Sequence, residues 1–231
     1  MSDEPLVLLQ MWGVAGRSVP GAVRRMATQR LQLRSQPGLR FAKLMGTGDG
    51  RTFTVRDADP RHWALLTVWE DDAAAEAFVD SGGVTRSWEG IATESLTVRL
   101  RPIAARGQWA RQRPFGDPTP RPTAGMVASI TRARIAARRA ASFWRAVPPV
   151  SADLRQVQGL RLAVGIGEAP IGLQGTFSLW DSSAALNDFA HRREPHIDAI
   201  RRTATEGWYA EELFARFEVL SLKGQFAGRP V

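Results

Sequence analysis

The amino-acid sequence predicts an α+β fold: two tandem ferredoxin-like units, each β-α-β-β-α-β, that form an intramolecular α+β barrel. Two observations carry this. Blocks of the chain recur in the same order in its two halves, and a proline-rich stretch separates those halves. Gly38-Leu-Arg-Phe-Ala-Lys-Leu-Met-Gly-Thr-Gly48 matches Gly159-Leu-Arg-Leu-Ala-Val-Gly-Ile-Gly-Glu-Ala169. Leu66-Thr-Val-Trp-Glu70 matches Phe177-Ser-Leu-Trp-Asp181, with Phe78 matching Phe189. Arg106-Gly-Gln-Trp109 matches Lys223-Gly-Gln-Phe226. The boundaries that follow are residues 1–110, a linker over 111–124 that holds Pro114, Pro118, Pro120 and Pro122, and residues 125–231.

The elements follow in order. Leu6 to Trp12 is an apolar strand, Pro20–Gly21 opens a helix towards Arg34, and Pro37–Gly38 turns the chain into the strand Leu39–Met45. Ala64–Trp69 is a strand rich in β-favouring residues. Asp71 and Asp72 start a short helix with Ala75, Phe78 and Val79 at helical spacing. A second helical stretch spans 85–93, and Leu96–Ile103 closes the unit. In the second half the strands are 126–135, 160–166, 175–180 and 213–222, and the helices are 138–147, 182–190 and 195–206. Helices cover one face of each sheet, so the other faces bury each other and enclose the default place for a ligand.

Composition narrows the function. A hydrophobic content of 44% supports a sizeable core. No apolar run approaches the length of about 20 residues that spans a bilayer, and the start Met-Ser-Asp-Glu-Pro lacks a secretory pattern, so a cytoplasmic location is expected. With no cysteine, the chain has no disulfide, thiolate metal site or thiolate-ligated haem. The net charge of +8 is carried by scattered arginines without a helix-turn-helix, RNP or zinc-finger spacing, so nucleic acid is not an expected partner. A basic surface also suits an acidic protein, an anionic cofactor or a membrane face. Gly46-Thr-Gly-Asp-Gly50 lacks the lysine and serine of a P-loop, and there is no nucleophile elbow.

Function belongs where the halves differ. His62 reads as a solvated loop residue before Trp63, and His191, beside Arg192 and Arg193, as a water-facing helix end. His196 follows Pro195 in the opening turn of a helix whose Ala199 and Ile200 give that face apolar character. It is either an ordinarily hydrogen-bonded histidine or an axial ligand to a metal. Three histidines in the whole chain argue against a clustered multi-histidine site, which needs two or more together, whereas haem needs one. Lys43 alternates with Leu39, Phe41 and Met45, against the wholly apolar Leu160, Leu162, Val164 and Ile166. It either snorkels to the edge or projects into the interior towards a polar or anionic ligand. Glu168, at the end of the matching strand, is a pocket acid or a turn residue.

Several blocks resemble the spheroidene monooxygenase family: Gly38 to Gly48, Gly165-Ile-Gly-Glu-Ala-Pro170, Phe177-Ser-Leu-Trp180, Gly207-Trp-Tyr-Ala-Glu-Glu-Leu-Phe-Ala-Arg-Phe217 and Arg138-Arg-Ala-Ala-Ser-Phe-Trp-Arg-Ala-Val-Pro148. The similarity runs from about residue 5 to 226, and its final block is the most specific. The resemblance implies a dimeric α+β barrel fold and haem-dependent, ferredoxin-supported insertion of oxygen into acyclic carotenoids. It implies His196 as the axial ligand of haem b iron. Lys43 and Glu168 then become catalytic candidates, while Arg132 or Arg134 would polarise oxygen or anchor a haem propionate. It further implies a hydrophobic substrate, an acidic ferredoxin-like electron donor, and room for peripheral membrane association and for oligomers. The same residues leave other chemistries open: a dehydratase- or peroxidase-like haem enzyme acting on a small nitrogen-containing metabolite, a non-catalytic haem-binding protein, or a cofactor-free monooxygenase of the antibiotic-biosynthesis type.

Overall fold

Leu6–Val14 carries no charge, and all nine of its residues are buried, because this strand is covered on both faces. A computed structural model describes residues 5–48, 57–135, 157–168, 175–192 and 209–231. Its elements in chain order are β1 (Leu6–Val14), α1 (Val19–Arg34), β2 (Leu39–Gly48), β3 (Ala58–Trp69), α2 (Asp72–Ser81), α3 (Gly83–Glu89) and β4 (Ala92–Gly107). There follow β5 (Val127–Ile135), β6 (Leu160–Gly167), β7 (Gly175–Trp180), α4 (Ser183–Arg192), β8 (Tyr209–Phe226) and β9 (Arg229–Pro230). The expected helices at 138–147 and 195–206 lie outside the described residues.

The strands run β4-β1-β3-β2-β6-β7-β5-β8, and β8 pairs back with β4, which closes an antiparallel ring of both halves. The two seams between the halves differ in length. β4 and β8 pair from Leu96↔Gly224 to Gly107↔Leu213, whereas β2 and β6 pair only at Gly46↔Gly167, Thr47↔Ile166 and Gly48↔Gly165. The long seam carries β4 and β8 past the expected 96–103 and 213–222 at 104–107 and 223–224, while 92–95 pair with β1 and 209–212 with β5, so these polar ends still satisfy their backbone groups. Pro102 is tolerated inside β4 because the register shifts there.

Alternation sorts the core into two kinds of layer. Leu9, Met11, Leu66 and Val98 of the first half meet Ile130, Val164, Phe177 and Phe217 of the second inside the ring. Leu6, Leu8, Trp12 and Leu65 face outward under the first half's helices, and Val127 and Trp180 do so with Leu186 and Phe189 in the second. Each such buried side chain contributes about 1.5–3 kcal/mol. The expectation that Leu39 and Leu160 share a face with Phe41 and Leu162 fails. Register shifts at Leu39/Phe41 and Leu160/Leu162 turn both leucines to the helix side. The helical stretch expected over 85–93 also ends sooner, at Glu89, because Ala92 already belongs to β4.

The sequence repeat recurs as contacts. Trp69 lies 4.8 Å from Phe78 between ring centres and donates to Thr67 Oγ1 at 2.8 Å. Trp180 lies 5.4 Å from Phe189 and donates to Ser178 Oγ at 2.9 Å. Gly38 and Gly159 both turn with positive φ, at 72° and 81°, and each carbonyl accepts from the residue after its half's tryptophan.

Candidate functional site

Where the short seam stops, side chains carry it on. Beyond the last pairing at Gly46↔Gly167, Lys43 of β2 reaches Glu168, which follows β6, with Nζ 2.6 Å from Oε2. The Trp109 indole N–H donates to Glu168 Oε1 at 2.5 Å, and Arg132 Nη2 of β5 donates to the same oxygen at 3.2 Å. Arg132 Nη1 donates in turn to Glu211 of β8. Five residues from both halves thus form one chain of charge-assisted hydrogen bonds. Phe41 packs edge-on to Trp109 at 5.7 Å, and the Arg132 guanidinium lies 5.5 Å from the same indole ring. Arg132 is 5% exposed, and its Nε is buried without a partner among the described residues.

Burial pushes the Glu168 carboxyl up, but the hydrogen bonds from Lys43 and Trp109 and the charges of Lys43 and Arg132 outweigh it. The net result lies below the ordinary value, so Glu168 is held ionised. Glu211 follows the same logic: burial raises it, and the backbone N–H groups of Arg111 and Ala110 with the Arg132 guanidinium bring it down. An ionised carboxylate ringed by donors orients cations; it does not supply a proton.

A second polar cluster stands at the equivalent place in the first half. His62 is not a solvated loop residue: it lies on β3, with its side chain 15% exposed. Its Nδ1 lies 2.6 Å from Asp59 Oδ2 and its Nε2 2.7 Å from Glu94 Oε1, and the Phe226 ring sits 4.8 Å away. Glu94 accepts the backbone N–H groups of Ala227 and Gly228, both at 2.8 Å, as Glu211 accepts those of Ala110 and Arg111. All four of those backbone residues have positive φ, so each half grips the tail of the other half's last long strand with the same device. The halves differ in the cation that completes it, His62 in one and Arg132 in the other.

Of the candidates named from sequence, Lys43, Glu168 and Arg132 come together. Arg134 is exposed on β5 and takes no part in this network. The side chain of His191 and the whole of His196 lie outside the described residues. Trp109 and Glu211 escaped notice as site residues, although both lay in segments already singled out: the Arg106–Trp109 repeat and the block from Gly207 to Phe217. Beside Phe41 opens a cavity of about 300 Å³, with Pro5, Pro102 and Phe115 as apolar lining and Arg40 and Arg113 at its polar side. Among the described residues no group of histidine and carboxylate side chains is arranged to hold a metal ion.

No family model matches the chain. It is 35% identical to the spheroidene monooxygenase of Rhodobacter capsulatus, over 97% of this chain and 94% of that protein. The chain belongs to the spheroidene monooxygenase family. The Rubrivivax gelatinosus spheroidene monooxygenase is 38% identical over 95% of this chain and 80% of its own length. The one from Cereibacter sphaeroides is 32% identical over 89% of this chain and 63% of its own. Among solved structures, an aldoxime dehydratase shares the fold with a TM-score of 0.60 at 12% identity, covering 94% of this chain and 82% of that one. Another, in complex with butyraldoxime, gives 0.59 over 94% and 80%. This member of the spheroidene monooxygenase family therefore has the mixed α+β barrel architecture of those proteins.

Proposed function

We propose that this chain is a haem-dependent monooxygenase that inserts oxygen into a long, hydrophobic, carotenoid-like substrate, with His196 as the ligand of haem b iron. The observation that carries the reading is the near full-length identity to proteins named spheroidene monooxygenase. The chemistry of the site fits the cofactor. Haem joins an apolar body to anionic carboxylates, and the Lys43–Arg132 donors, with the unpartnered Arg132 Nε, border the apolar interior. Bound haem supplies the activation of dioxygen, with electrons from a reductant such as an acidic ferredoxin that the +8 chain attracts.

The chain's own residues do the rest. Glu168, held ionised, fixes Lys43 and Arg132 in place, so their remaining N–H groups would hold a carboxylate of the haem without reorganisation. Trp109 locks the other side of the same carboxylate. The cavity beside Phe41 accepts an apolar segment of substrate, and the packed interior behind it keeps water from the reacting centre.

The test is spectroscopic. Protein purified with haem supplied shows a Soret band, which His196→Ala abolishes and His62→Ala and His191→Ala retain. A chain that takes up no haem, or a His196→Ala variant with an unchanged spectrum, refutes the cofactor and the ligand respectively.

A further inference from the structure

From Pro5 to Gly48 the chain contains no aspartate or glutamate, yet it holds Arg17, Arg24, Arg25, Arg30, Arg34, Arg40 and Lys43. This charge asymmetry centres on α1. The helix buries Ala22, Gln29 and Leu33 against the sheet. Its outer face carries Val23, Ala27 and Leu31 at four-residue spacing, which makes one continuous ridge. Val23 is 53% and Leu31 68% exposed, the large hydrophobic side chains most open to solvent among the described residues. Arg24 and Arg34 share that outer face, and Arg17 lies just before it; all three are exposed.

We infer that the outer face of α1 docks on the surface of an anionic lipid bilayer. An apolar ridge whose charged neighbours on the helix are all cations suits an anionic membrane interface, with aliphatic side chains inserted and guanidinium groups at the headgroups. The arginine stems cover the flanks of the ridge while their heads stay with the phosphates. An acidic protein would satisfy the charge, but it would leave two bare aliphatic side chains in the middle of the contact. The same helix borders the site, since Arg30 Nη2 donates to the Glu168 carbonyl oxygen at 3.1 Å. Docking through α1 therefore sets the Lys43–Glu168 network close to the layer in which an apolar substrate dissolves. No described helix is long and apolar enough to cross a membrane.

The experiment is flotation of the full chain with vesicles of phosphatidylcholine containing about 30% phosphatidylglycerol, beside vesicles of phosphatidylcholine alone. The chain floats with the anionic vesicles only, and added salt reverses the binding. Arg24→Gln with Arg34→Gln weakens it about twenty-five-fold, from roughly five-fold per arginine. Val23→Ser with Leu31→Ser weakens it without changing its salt dependence. All four positions are exposed, and unchanged circular dichroism verifies that the variants fold. Absence of flotation, flotation indifferent to both double variants, or variants that weaken only the binding of an acidic ferredoxin would each overturn the inference. The measurement uses neither haem nor substrate, so its failure leaves the oxygenase reading standing, and the reverse holds as well.

Discussion

Glu168 accepts from Lys43, Trp109 and Arg132 at once, and that asymmetry of one acceptor among three donors decides how its variants behave. Glu168→Gln keeps the shape but removes the charge, and it leaves two cations at the seam with only Glu211 to balance them. We expect a loss of about 1–3 kcal/mol, below the full value for breaking a buried pair because Lys43 and Glu168 are partly exposed. Lys43→Met loses less, since Arg132 and Trp109 still hold the carboxylate. Urea unfolding with a common slope verifies the order. His62 gives the pH dependence. The hydrogen bond to Asp59 raises it, burial opposes, and Glu94 raises it further, so its folded value lies above 6.5. Its contribution, about 1–2 kcal/mol, is complete below pH 6.5 and fades as pH rises through the folded value. Asp59, Glu94, Glu168 and Glu211 behave oppositely: each is lowered, so its contribution holds above the ordinary carboxylate range and fades as pH falls through the folded value. Thermal melts across this range show wild type and His62→Gln converging at mildly alkaline pH; parallel curves would show that the imidazolium contributes nothing.

Among the elements, the strands at the two seams differ most in what holds them. Glu94 and Glu211 grip equivalent tails, so Glu94→Gln loosens residues 225–228 and Glu211→Gln loosens residues 108–111. Hydrogen exchange of those amides rises in the matching variant alone. The glycine turns make a second test. A methyl group on Gly38 or Gly159 would stand 2.7 Å from Ala74 Cβ or Ala185 Cβ, on backbone that already has positive φ. Gly38→Ala and Gly159→Ala each cost about 1–3 kcal/mol, and similar midpoint shifts in the two variants would show that the repeated turns are built alike. Most strands were legible because they follow apolar runs of β-favouring residues. Their ends were not, because the polar tips of Ala92–Gly107 and Tyr209–Phe226 are strands only by virtue of partners distant in sequence: 92–95 pair with β1, 209–212 with β5, and 104–107 and 223–224 with the body of the opposite strand at the long seam. The bulges at Arg40 and Arg161 were hidden for a related reason: alternation assumes an even register, and only the partner strand reveals the extra residue.

For the whole molecule, the repeat made the architecture readable, since two sheets with one face each under helices must bury the other faces together. The site was readable in part. Lys43 stood out as the one charge on a face whose repeat partner is apolar, and Glu168 as the carboxylate at the end of the matching strand. Trp109 and Glu211 did not, because the long β4–β8 seam and the linker bring them in from distant stretches of chain. His62 was misjudged for the same reason: its partners Glu94 and Phe226 come from strands that no local pattern links to it. The closed ring, the charged network at its short seam and the outer face of α1 place an apolar interior, fixed donors and an exposed apolar ridge among arginines on one molecule. The most direct measurement supplies spheroidene, haem, a reduced ferredoxin and ¹⁸O₂ to the purified chain and follows the carotenoid by mass spectrometry. The account predicts product carrying oxygen derived from ¹⁸O₂, with the second atom of the dioxygen leaving as water. Unlabelled carotenoid, or label arriving from water instead, would contradict it.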